Sequence, residues 1–349
     1  MNNIPHIKIG DRYIGDLFKP YILAEMACAH DGNPDLAHQL VDIAANADVD
    51  GVQLQIFSAK NIMAKHHPGY DLSLKLEISL NDWVEIVNHA KDCELDVWVT
   101  VFDETCFEII NDKIAAVKIH SSDIANLEML ELVARTNKPV SLSAGGTTID
   151  ELAQAIFFLR DKGVKDLLLM HGYQAYPTKI SESRINFIKT LRKIFNCPVG
   201  YMDHTDGDSD LAFILPILAF AIGSAVLEKH ITIDRSLKNT DYESALNPDE
   251  LKKFVKIFNK ISNVFGDGDL VPISSDELNY RHNFKKSIVA ARNIKSGEII
   301  NKEMLLYLRA GAGLPPTDID KIIDRVSLQD IKEHNVIKQE WLGEKNTND

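Results

Sequence analysis

The sequence of 349 residues has few cysteines, and it lacks an uninterrupted apolar run long enough for a membrane helix. Its four cysteines are scattered and form no CxxC pair, so we expect reduced thiols in a cytoplasmic protein. The longest apolar run, residues 211–227, is broken by Pro216 and Gly223, which favours a buried helix and strand over a membrane span. The first residues show no signal-peptide pattern.

Positive charge is also scarce. The chain has 38 Lys and Arg against 51 Asp and Glu, a formal net charge of −13, which argues against a general nucleic-acid binder. A few local cations can still hold a small anion in a cleft. Two nucleotide and hydrolase signatures are missing as well: the turn at 29–32 is not a G-x-G-x-x-G loop, and no G-x-S-x-G occurs.

Eight short apolar runs recur along the chain and predict buried strands. Most are too apolar for a sheet with one solvated face, which is typical of parallel strands that are covered on the outside. The runs span residues 22–27, 51–57, 97–102, 115–120, 139–144, 166–171, 198–204 and 225–230.

Helical patterns separate these runs. The first begins at Asn33 and Pro34, a capping residue followed by proline, and it places Leu36, Leu40 and Val41 on one face. An eightfold alternation of strand and helix predicts an α/β fold, a (β/α)₈ TIM barrel. The other predicted helices span 80–94, 125–136, 148–162, 184–195 and 208–222, with one short helix at 103–111.

The pattern changes after residue 265, where a Gly- and Asp-rich turn ends the last helix of the barrel. Polar residues follow, and then β-type runs surround a turn at 294–297. We therefore predict a barrel domain over 1–268, a linker over 269–285 and a small, mostly β domain over 286–349.

Polar side chains gather at the carboxyl ends of the predicted strands. In a barrel these ends converge on one face, where the loops form the active site. Such groups are costly to bury without partners, so they predict a polar pocket or a bound ligand. The residues concerned include Glu25, Gln53, Lys118, Ser121, Ser143, Gln174, Asp203, His204, Glu228 and His230.

His204 and His230 end neighbouring strands, so their imidazoles can converge. Two histidines with carboxylate or water oxygens suit a divalent ion; Mn²⁺ is our first expectation, and Mg²⁺, Co²⁺ or Zn²⁺ are alternatives. Glu25, Asp203 and Glu228 are the neighbouring acids that could bind the ion or orient its ligands. The alternative interpretation is a pair of structural, hydrogen-bonded histidines.

Lys118 lies in an apolar strand, where an unpaired ammonium group would be costly. It could bind a phosphate or carboxylate, form a Schiff base, or pair with a neighbouring acid. Ser121 and Ser143 add hydroxyl donors near the same face.

The order of the motifs resembles the sialic acid synthase family, whose members condense phosphoenolpyruvate with an N-acylated amino sugar. The resemblance covers nearly the whole chain. Its motifs are ILAEMACAHDGN, AVKIHSSDIANLEML, SLSAGG, AYPT, GYMDHT, LEKHITID and SALNPDE, followed by SIVAARNIKSGEII and LRAGAG of a SAF, or antifreeze-like, domain.

The resemblance implies individual roles. Glu25 matches an acid near metal and substrate, and Lys118, Ser121 and Ser143 match residues that hold phosphoenolpyruvate. Tyr176 and Asp241 match residues of the sugar pocket, and we take them with Glu25 and Lys118 as the catalytic candidates. Gln53, Gln174 and Asp203 join the two serines as substrate-binding candidates. His204 and His230 match the metal ligands. Arg309 matches a SAF-domain arginine that reaches the partner's active site, which implies a domain-swapped homodimer.

The sequence departs from the family pattern at several positions. Gln53 replaces the usual lysine, Met202 a serine and Gln174 an asparagine. The loss of one cation weakens charge-assisted binding of an anion, although glutamine still donates hydrogen bonds. These departures suggest a divergent branch, close to the spore-coat polysaccharide synthases. Two alternatives stay open: a Schiff-base aldolase or lyase that uses Lys118, and a non-catalytic sugar-binding barrel.

Overall fold

The computed structural model describes residues 5–15, 18–109, 113–264 and 272–346. The chain divides into two compact units, Met1–Phe265 and Gly266–Asp349. The predicted boundary between residues 268 and 269 lies outside the described residues. No helix among those ranges is both long and apolar enough to cross a membrane.

A short antiparallel hairpin precedes the main sheet. It consists of β1 (His6–Ile9) and β2 (Arg12–Gly15). Alternation along the hairpin buries Ile7, Ile9 and Ile14, which cluster with Tyr21 and Trp98 in the interior of the barrel. The hairpin thus extends an apolar core away from the end where the polar side chains gather.

Eight parallel strands form a closed barrel, as the alternation predicted. The order around the barrel follows the chain, and the last strand pairs with the first. The strands are β3 (Tyr21–Glu25), β4 (Gly51–Ile56), β5 (Asp96–Val101), β6 (Ile114–Ile119), β7 (Val140–Ser143), β8 (Leu167–His171), β9 (Val199–Asp203) and β10 (Val226–His230).

Helices cover the outside of the barrel, so the predicted (β/α)₈ fold is confirmed. Only a 3₁₀ turn, Glu104–Glu108, is described between β5 and β6, where one short helix was expected. The helices are α1 (Pro34–Asn46), α2 (Ala59–Ile62), α3 (Tyr70–Leu76), α4 (Leu80–Asp92), α5 (Leu127–Arg135), α6 (Ile149–Asp161), α7 (Phe187–Phe195), α8 (Leu211–Ala221) and α9 (Pro248–Ile261).

The first helix shows how the sequence sets these elements. The Asn33 side chain accepts a hydrogen bond from the Asp35 N–H and caps α1, and Pro34 occupies the first turn. Leu40, Val41 and Ala44 then face the strands and are fully buried. Burial of one such face per helix packs the helix against the strands and fixes the strand ends that carry the polar side chains.

The second unit begins with α10 (Ser275–Phe284), which lies within the segment predicted as a linker. A reciprocal capping box between Ser274 and Glu277 starts this helix. Two antiparallel pairs follow, and they enclose a small apolar core that includes Ile288, Ile300 and Ile331. The strands are β11 (Lys286–Ala290), β12 (Leu305–Arg309), β13 (Arg325–Ser327) and β14 (Leu342–Lys345), so the mostly β character is confirmed.

The loop after β3 packs closely at the polar end of the barrel, and substitution of Gly32 tests this packing. Gly32 has φ +75°, and a Cβ there would lie 1.9 Å from the Lys75 carbonyl oxygen. Gly163 also has positive φ, +89°, but has open space around it. We expect Gly163→Ala to lower the free energy of unfolding by about 1–2 kcal/mol, from backbone strain alone. Gly32→Ala should lower it by roughly 2 kcal/mol more, because backbone must move. Urea unfolding of both variants measures this difference, and equal losses would contradict it.

Candidate active site at the carboxyl end of the barrel

An ion pair crosses the inside of the barrel. Lys118 on β6 and Glu228 on β10 belong to strands on opposite sides of the closed sheet. The Lys118 Nζ donates to both carboxylate oxygens of Glu228, at 2.8 and 2.7 Å. Both side chains are almost fully buried. The pair therefore fixes polar groups in the interior at the level where the strands end.

Glu25 lies beside this ion pair. Its carboxylate accepts hydrogen bonds from the Ala27 N–H at 2.7 Å and from the Gln53 side chain, and its Oε2 lies 3.7 Å from the Lys118 Nζ. Burial raises the pKa of Glu25 to about 8, and Glu228 adds to this rise while Lys118 partly opposes it. Glu25 is therefore a buried acid whose pKa lies close to neutral pH.

Gln53 links the two carboxylates. Its Nε2 donates to Glu25 and lies 3.5 Å from the Glu228 Oε2. The Gln53 Oε1 is buried and has no hydrogen-bond partner among the described residues. The same holds for the hydroxyl groups of Thr100 and Ser141. Lys118 pairs in register with both of these residues, so all three polar side chains lie on the inner face. Unsatisfied groups of this kind mark places for a ligand or ordered water.

The two predicted histidines do converge. Ligand atoms of His204, Glu228 and His230 all lie within 4.8 Å of one another, and all three residues are buried. The ring centroids of His204 and His230 are 5.2 Å apart. Two imidazoles and a carboxylate are a donor set that suits a divalent transition ion. This set is therefore the candidate metal centre.

Both histidines are in the neutral form that binds a metal ion, and the His204 ring is also oriented by a hydrogen bond. The His204 Nδ1 lies 2.7 Å from the Tyr173 carbonyl oxygen, which can only accept, so Nδ1–H donates and Nε2 keeps its lone pair. Burial lowers the pKa of His204, and burial with the neighbouring cations lowers the pKa of His230 further. Neutral imidazoles are the form that binds metal.

Tyr176 closes one side of the histidine pair. Its ring centroid lies 4.4 Å from that of His204 and 5.7 Å from that of His230. The Tyr176 hydroxyl donates to the Gln174 Oε1 at 2.7 Å. Asp241 accepts from the Cys28 N–H at 3.2 Å, and burial raises the pKa of Asp241. The structure thus brings these three predicted residues to the same end of the barrel.

The two predicted serines differ in setting. Ser143 ends β7 and is fully buried, and its hydroxyl lies 3.8 Å from the Met202 sulfur, a weak acceptor. Ser121 begins the 3₁₀ turn that follows β6 and is partly exposed. Both serines therefore lie at the carboxyl ends of their strands, where the loops begin.

Asp203 is the predicted site residue that the structure places elsewhere in the barrel. Asp203 and His204 are adjacent, so their side chains point to opposite faces of β9. The Asp203 carboxylate pairs with Lys229 at 2.5 Å and accepts from the Thr205 N–H at 3.1 Å. Both members of the pair are fully buried between strands and helices. We therefore remove Asp203 from the substrate-binding candidates.

Arg309 belongs to the second unit. It ends β12, is exposed, and its guanidinium carbon lies 5.1 Å from the centre of the Phe284 ring. This contact is a cation–π interaction within that unit.

The sequence predicted Glu228 only as one of three neighbouring acids that could bind the ion or orient its ligands. The structure makes it central, because it contacts Lys118 and lies beside both histidines. The signal was present: Glu228 and His230 are two residues apart on one strand and must share a face. Gln55, whose Nε2 lies 3.4 Å from the Glu25 Oε1, was missed in the same way.

Comparisons with known proteins agree with this architecture. Residues 40–270 match the NeuB family, and residues 285–342 match the SAF domain. The N,N'-diacetyllegionaminic acid synthase of Campylobacter jejuni is 31% identical over 339 residues, 92% of this chain and 99% of that protein. The spore coat polysaccharide biosynthesis protein SpsE of Bacillus subtilis is 28% identical, with 87% of each chain covered.

A solved structure shares the fold. The crystal structure of N-acetylneuraminic acid synthetase from Leptospira borgpetersenii, in complex with citrate, superposes with a TM-score of 0.72 at 27% identity. The match covers 80% of this chain and 98% of that one.

The position of Asp203 leads to a stability test. Asp203→Asn leaves Lys229 buried without its carboxylate, so we expect the free energy of unfolding to fall by about 3–5 kcal/mol. The exposed pair of Lys295 and Asp330 is the control, and Asp330→Asn should change stability little. Urea unfolding measures both. A small loss for Asp203→Asn would contradict the structural role.

The raised pKa of Glu25 leads to a pH test on metal-free protein. Folded Glu25 keeps its proton up to about pH 8, whereas the unfolded residue loses it near pH 4.5. Its contribution to stability is therefore full below pH 4.5 and is lost as the pH rises towards 8. Glu25→Gln removes this titration. We expect the free energy of unfolding of the variant, relative to the parent, to rise between pH 5 and pH 8 by up to about 4 kcal/mol. A difference independent of pH would refute the raised pKa.

Proposed function

The chain belongs to the NeuB family, and from this premise we propose that it condenses phosphoenolpyruvate with an N-acylated amino sugar. The products would be a nonulosonic acid of the sialic acid type and phosphate. As a member of this family it is an enzyme, a transferase that forms a carbon–carbon bond. The acceptor we propose is similar to N-acetylmannosamine, either free or as its 6-phosphate.

The observation that carries this proposal is the buried cluster at the carboxyl ends of the strands. Two carboxylates, a lysine and two neutral histidines share one buried region, and the Glu228 carboxylate connects the lysine to the histidines. Gln53, Thr100 and Ser141 in this region each have a buried polar atom without a partner among the described residues, and a bound ligand or ordered water could satisfy these atoms. The arrangement suits a reaction in which charge changes on a bound anion.

His204, His230 and Glu228 would hold a divalent ion, for which we propose Mn²⁺. Their donor atoms are close enough together, and the Tyr173 carbonyl orients the His204 ring. When bound, such an ion supplies Lewis acidity towards a carbonyl oxygen. Glu228 also pairs with Lys118, and each carboxylate oxygen has lone pairs for both partners.

Glu25 is the residue that we propose to move a proton. In the reaction, C3 of phosphoenolpyruvate bonds to the aldehyde carbon of the open-chain sugar, water adds at C2, and phosphate leaves by C–O cleavage. A carboxyl group with a pKa of about 8 can take a proton from the water and return it near neutral pH. The Ala27 N–H and Gln53 fix the direction of its two oxygens.

The anion would be held by Lys118, Ser121 and Ser143, with Gln53 as a neutral donor. Lys118 has its ammonium group at the centre of the cluster, and Ser143 has a hydroxyl whose present acceptor is only a thioether. These groups offset negative charge on the phosphate and carboxylate of the substrate. Tyr176, Gln174 and Asp241 lie where the sugar would then be recognised.

The contacts of Lys118 do not favour the Schiff-base alternative. Both Glu228 oxygens already bind its nitrogen, so condensation with a keto group would first have to break a buried ion pair. A Schiff-base lysine instead needs a neutral, accessible amine. The histidine pair would also have no role in that chemistry.

Four further assignments are proposals as well. The cytoplasmic location rests on the scattered cysteines, and the domain limits 1–268, 269–285 and 286–349 rest on the change of sequence pattern after residue 265. The domain-swapped homodimer and the contribution of Arg309 to substrate binding rest on the family resemblance. We propose them together with the function.

Phosphate release tests the reaction. Full-length protein with Mn²⁺ and phosphoenolpyruvate should release phosphate only when an N-acyl amino sugar or its 6-phosphate is added. We expect Glu25→Gln to lower kcat by about 10²–10⁴-fold, since it removes the acid–base group. Glu94→Gln, an exposed glutamate in the loop before β5, is the matched control and should keep full activity. No release with any acceptor in the panel would overturn the proposal.

A further inference from the structure

A second group of metal-binding side chains lies on the outer surface of the barrel, between α1 and α4. Ligand atoms of Asp42, His89 and Cys93 all lie within 4.8 Å of one another. The His89 Nε2 is 2.8 Å from the Asp42 Oδ1 and 4.0 Å from the Cys93 sulfur. We propose that these three residues form a zinc site that clamps the two helices together.

The helices supply the spacing that such a site needs. His89 and Cys93 are four residues apart, and the Cys93 N–H donates to the His89 carbonyl at 3.0 Å, so one turn places both side chains on one face. Asp42 comes from α1, which packs against the same face of α4 through the common apolar core. The core thus fixes the positions of both helices and holds the ligands near one point.

The distances between the ligand atoms are close to those found around a tetrahedrally coordinated zinc ion. Zinc binds sulfur at about 2.3 Å and imidazole nitrogen at about 2.0–2.1 Å, so sulfur and nitrogen on one ion lie roughly 3.5 Å apart. The observed 4.0 Å needs a contraction of only a few tenths of an ångström. The His89–Asp42 contact of 2.8 Å would open slightly, as the ion replaces the shared hydrogen. Both side chains are partly exposed and can adjust.

The ligand types select the ion. A thiolate with an imidazole and a carboxylate suits zinc or cobalt, whereas Mg²⁺ and Mn²⁺ favour oxygen ligands. Cys93 would bind as the thiolate, and its proton would pass to water. The ring of His38 lies 5.0 Å from that of His89 and crosses it at 69°, which steadies the His89 ring. Water would take the fourth position.

The location defines what the clamp would do. The helix α1 connects β3 to β4, the strands that carry Glu25 and Gln53, and α4 leads into β5. An ion that joins the two helices would therefore stabilise the outer layer behind two residues of the candidate active site. It would act through stability, since its ligands are on the outside of the barrel.

Cobalt absorption tests the site in chelator-treated, reduced full-length protein that carries His230→Ala, so that the barrel centre does not take up the ion. One equivalent of Co²⁺ on Cys93 should produce a thiolate-to-metal charge-transfer band in the near ultraviolet. The band should disappear in Cys93→Ser. In His89→Ala the affinity for Co²⁺, measured from the band, should fall at least tenfold. Cys28→Ser is the matched control, because Cys28 lies at the carboxyl end of the barrel near Asp241 and Glu25, away from the proposed site, and it should keep the band. A parent protein without the band, a band that survives Cys93→Ser, or a band lost in Cys28→Ser would each overturn the proposal.

Thermal unfolding gives a second, independent measurement. It is done in the His230→Ala variant, so that the barrel centre does not contribute. Zinc at a hundredfold excess over its Kd should raise Tm by about 5 °C. Adding Asp42→Asn, a substitution at an exposed position, should remove most of this shift while leaving the zinc-free Tm nearly unchanged. An undiminished shift in the double variant would overturn the assignment of Asp42.

Discussion

The ion pair between Lys118 and Glu228 spans the inside of the barrel, and the candidate active site depends on it. The two residues lie 110 positions apart in sequence and on opposite strands of the closed sheet. Each charge is buried, so each needs the other, and together they bring carboxylates, amides and imidazoles to one level. The apolar interior formed by Tyr21, Leu23 and Trp98 excludes water from beneath them.

Strand alternation then sorts every neighbouring side chain. At the carboxyl ends of β9 and β10, His204, Glu228 and His230 point inwards, and Asp203 and Lys229 point outwards. Residues of the candidate site therefore alternate with residues that pack the sheet against the helices along the same short segments. This is why one charged residue can belong to the candidate centre while its immediate neighbour belongs to the packing between sheet and helices.

The sequence predicted the barrel and most of its polar end because both depend on local patterns. Apolar runs and helical faces set the eight repeats, and polar residues at strand ends had to meet once the sheet closed. What it could not supply was the partner of each charge. Whether Lys118 would meet a ligand, a substrate carbonyl or Glu228 depends on the distance across the barrel, which local pattern does not encode.

Other differences did have a signal. Asp203 was misplaced because its strand end was taken as a unit, although residues 203 and 204 must face opposite sides. The helix Ser275–Phe284 was overlooked because it has no buried face, yet its capping box is visible in Ser274 and Glu277. The hairpin before the barrel was missed although Ile7 and Ile9 alternate with polar residues around the turn at Gly10.

The outward pair of Asp203 and Lys229 has a consequence for redesign. Each residue immediately precedes a candidate metal-binding histidine, so the salt bridge fastens the backbones of the two ligand-bearing strands from behind. The distance between the two imidazoles thus depends on Asp203 and Lys229, which do not contact the substrate or the ion. An engineer who wished to retune the preferred metal could do so from the rear of the sheet, leaving every ligand unchanged.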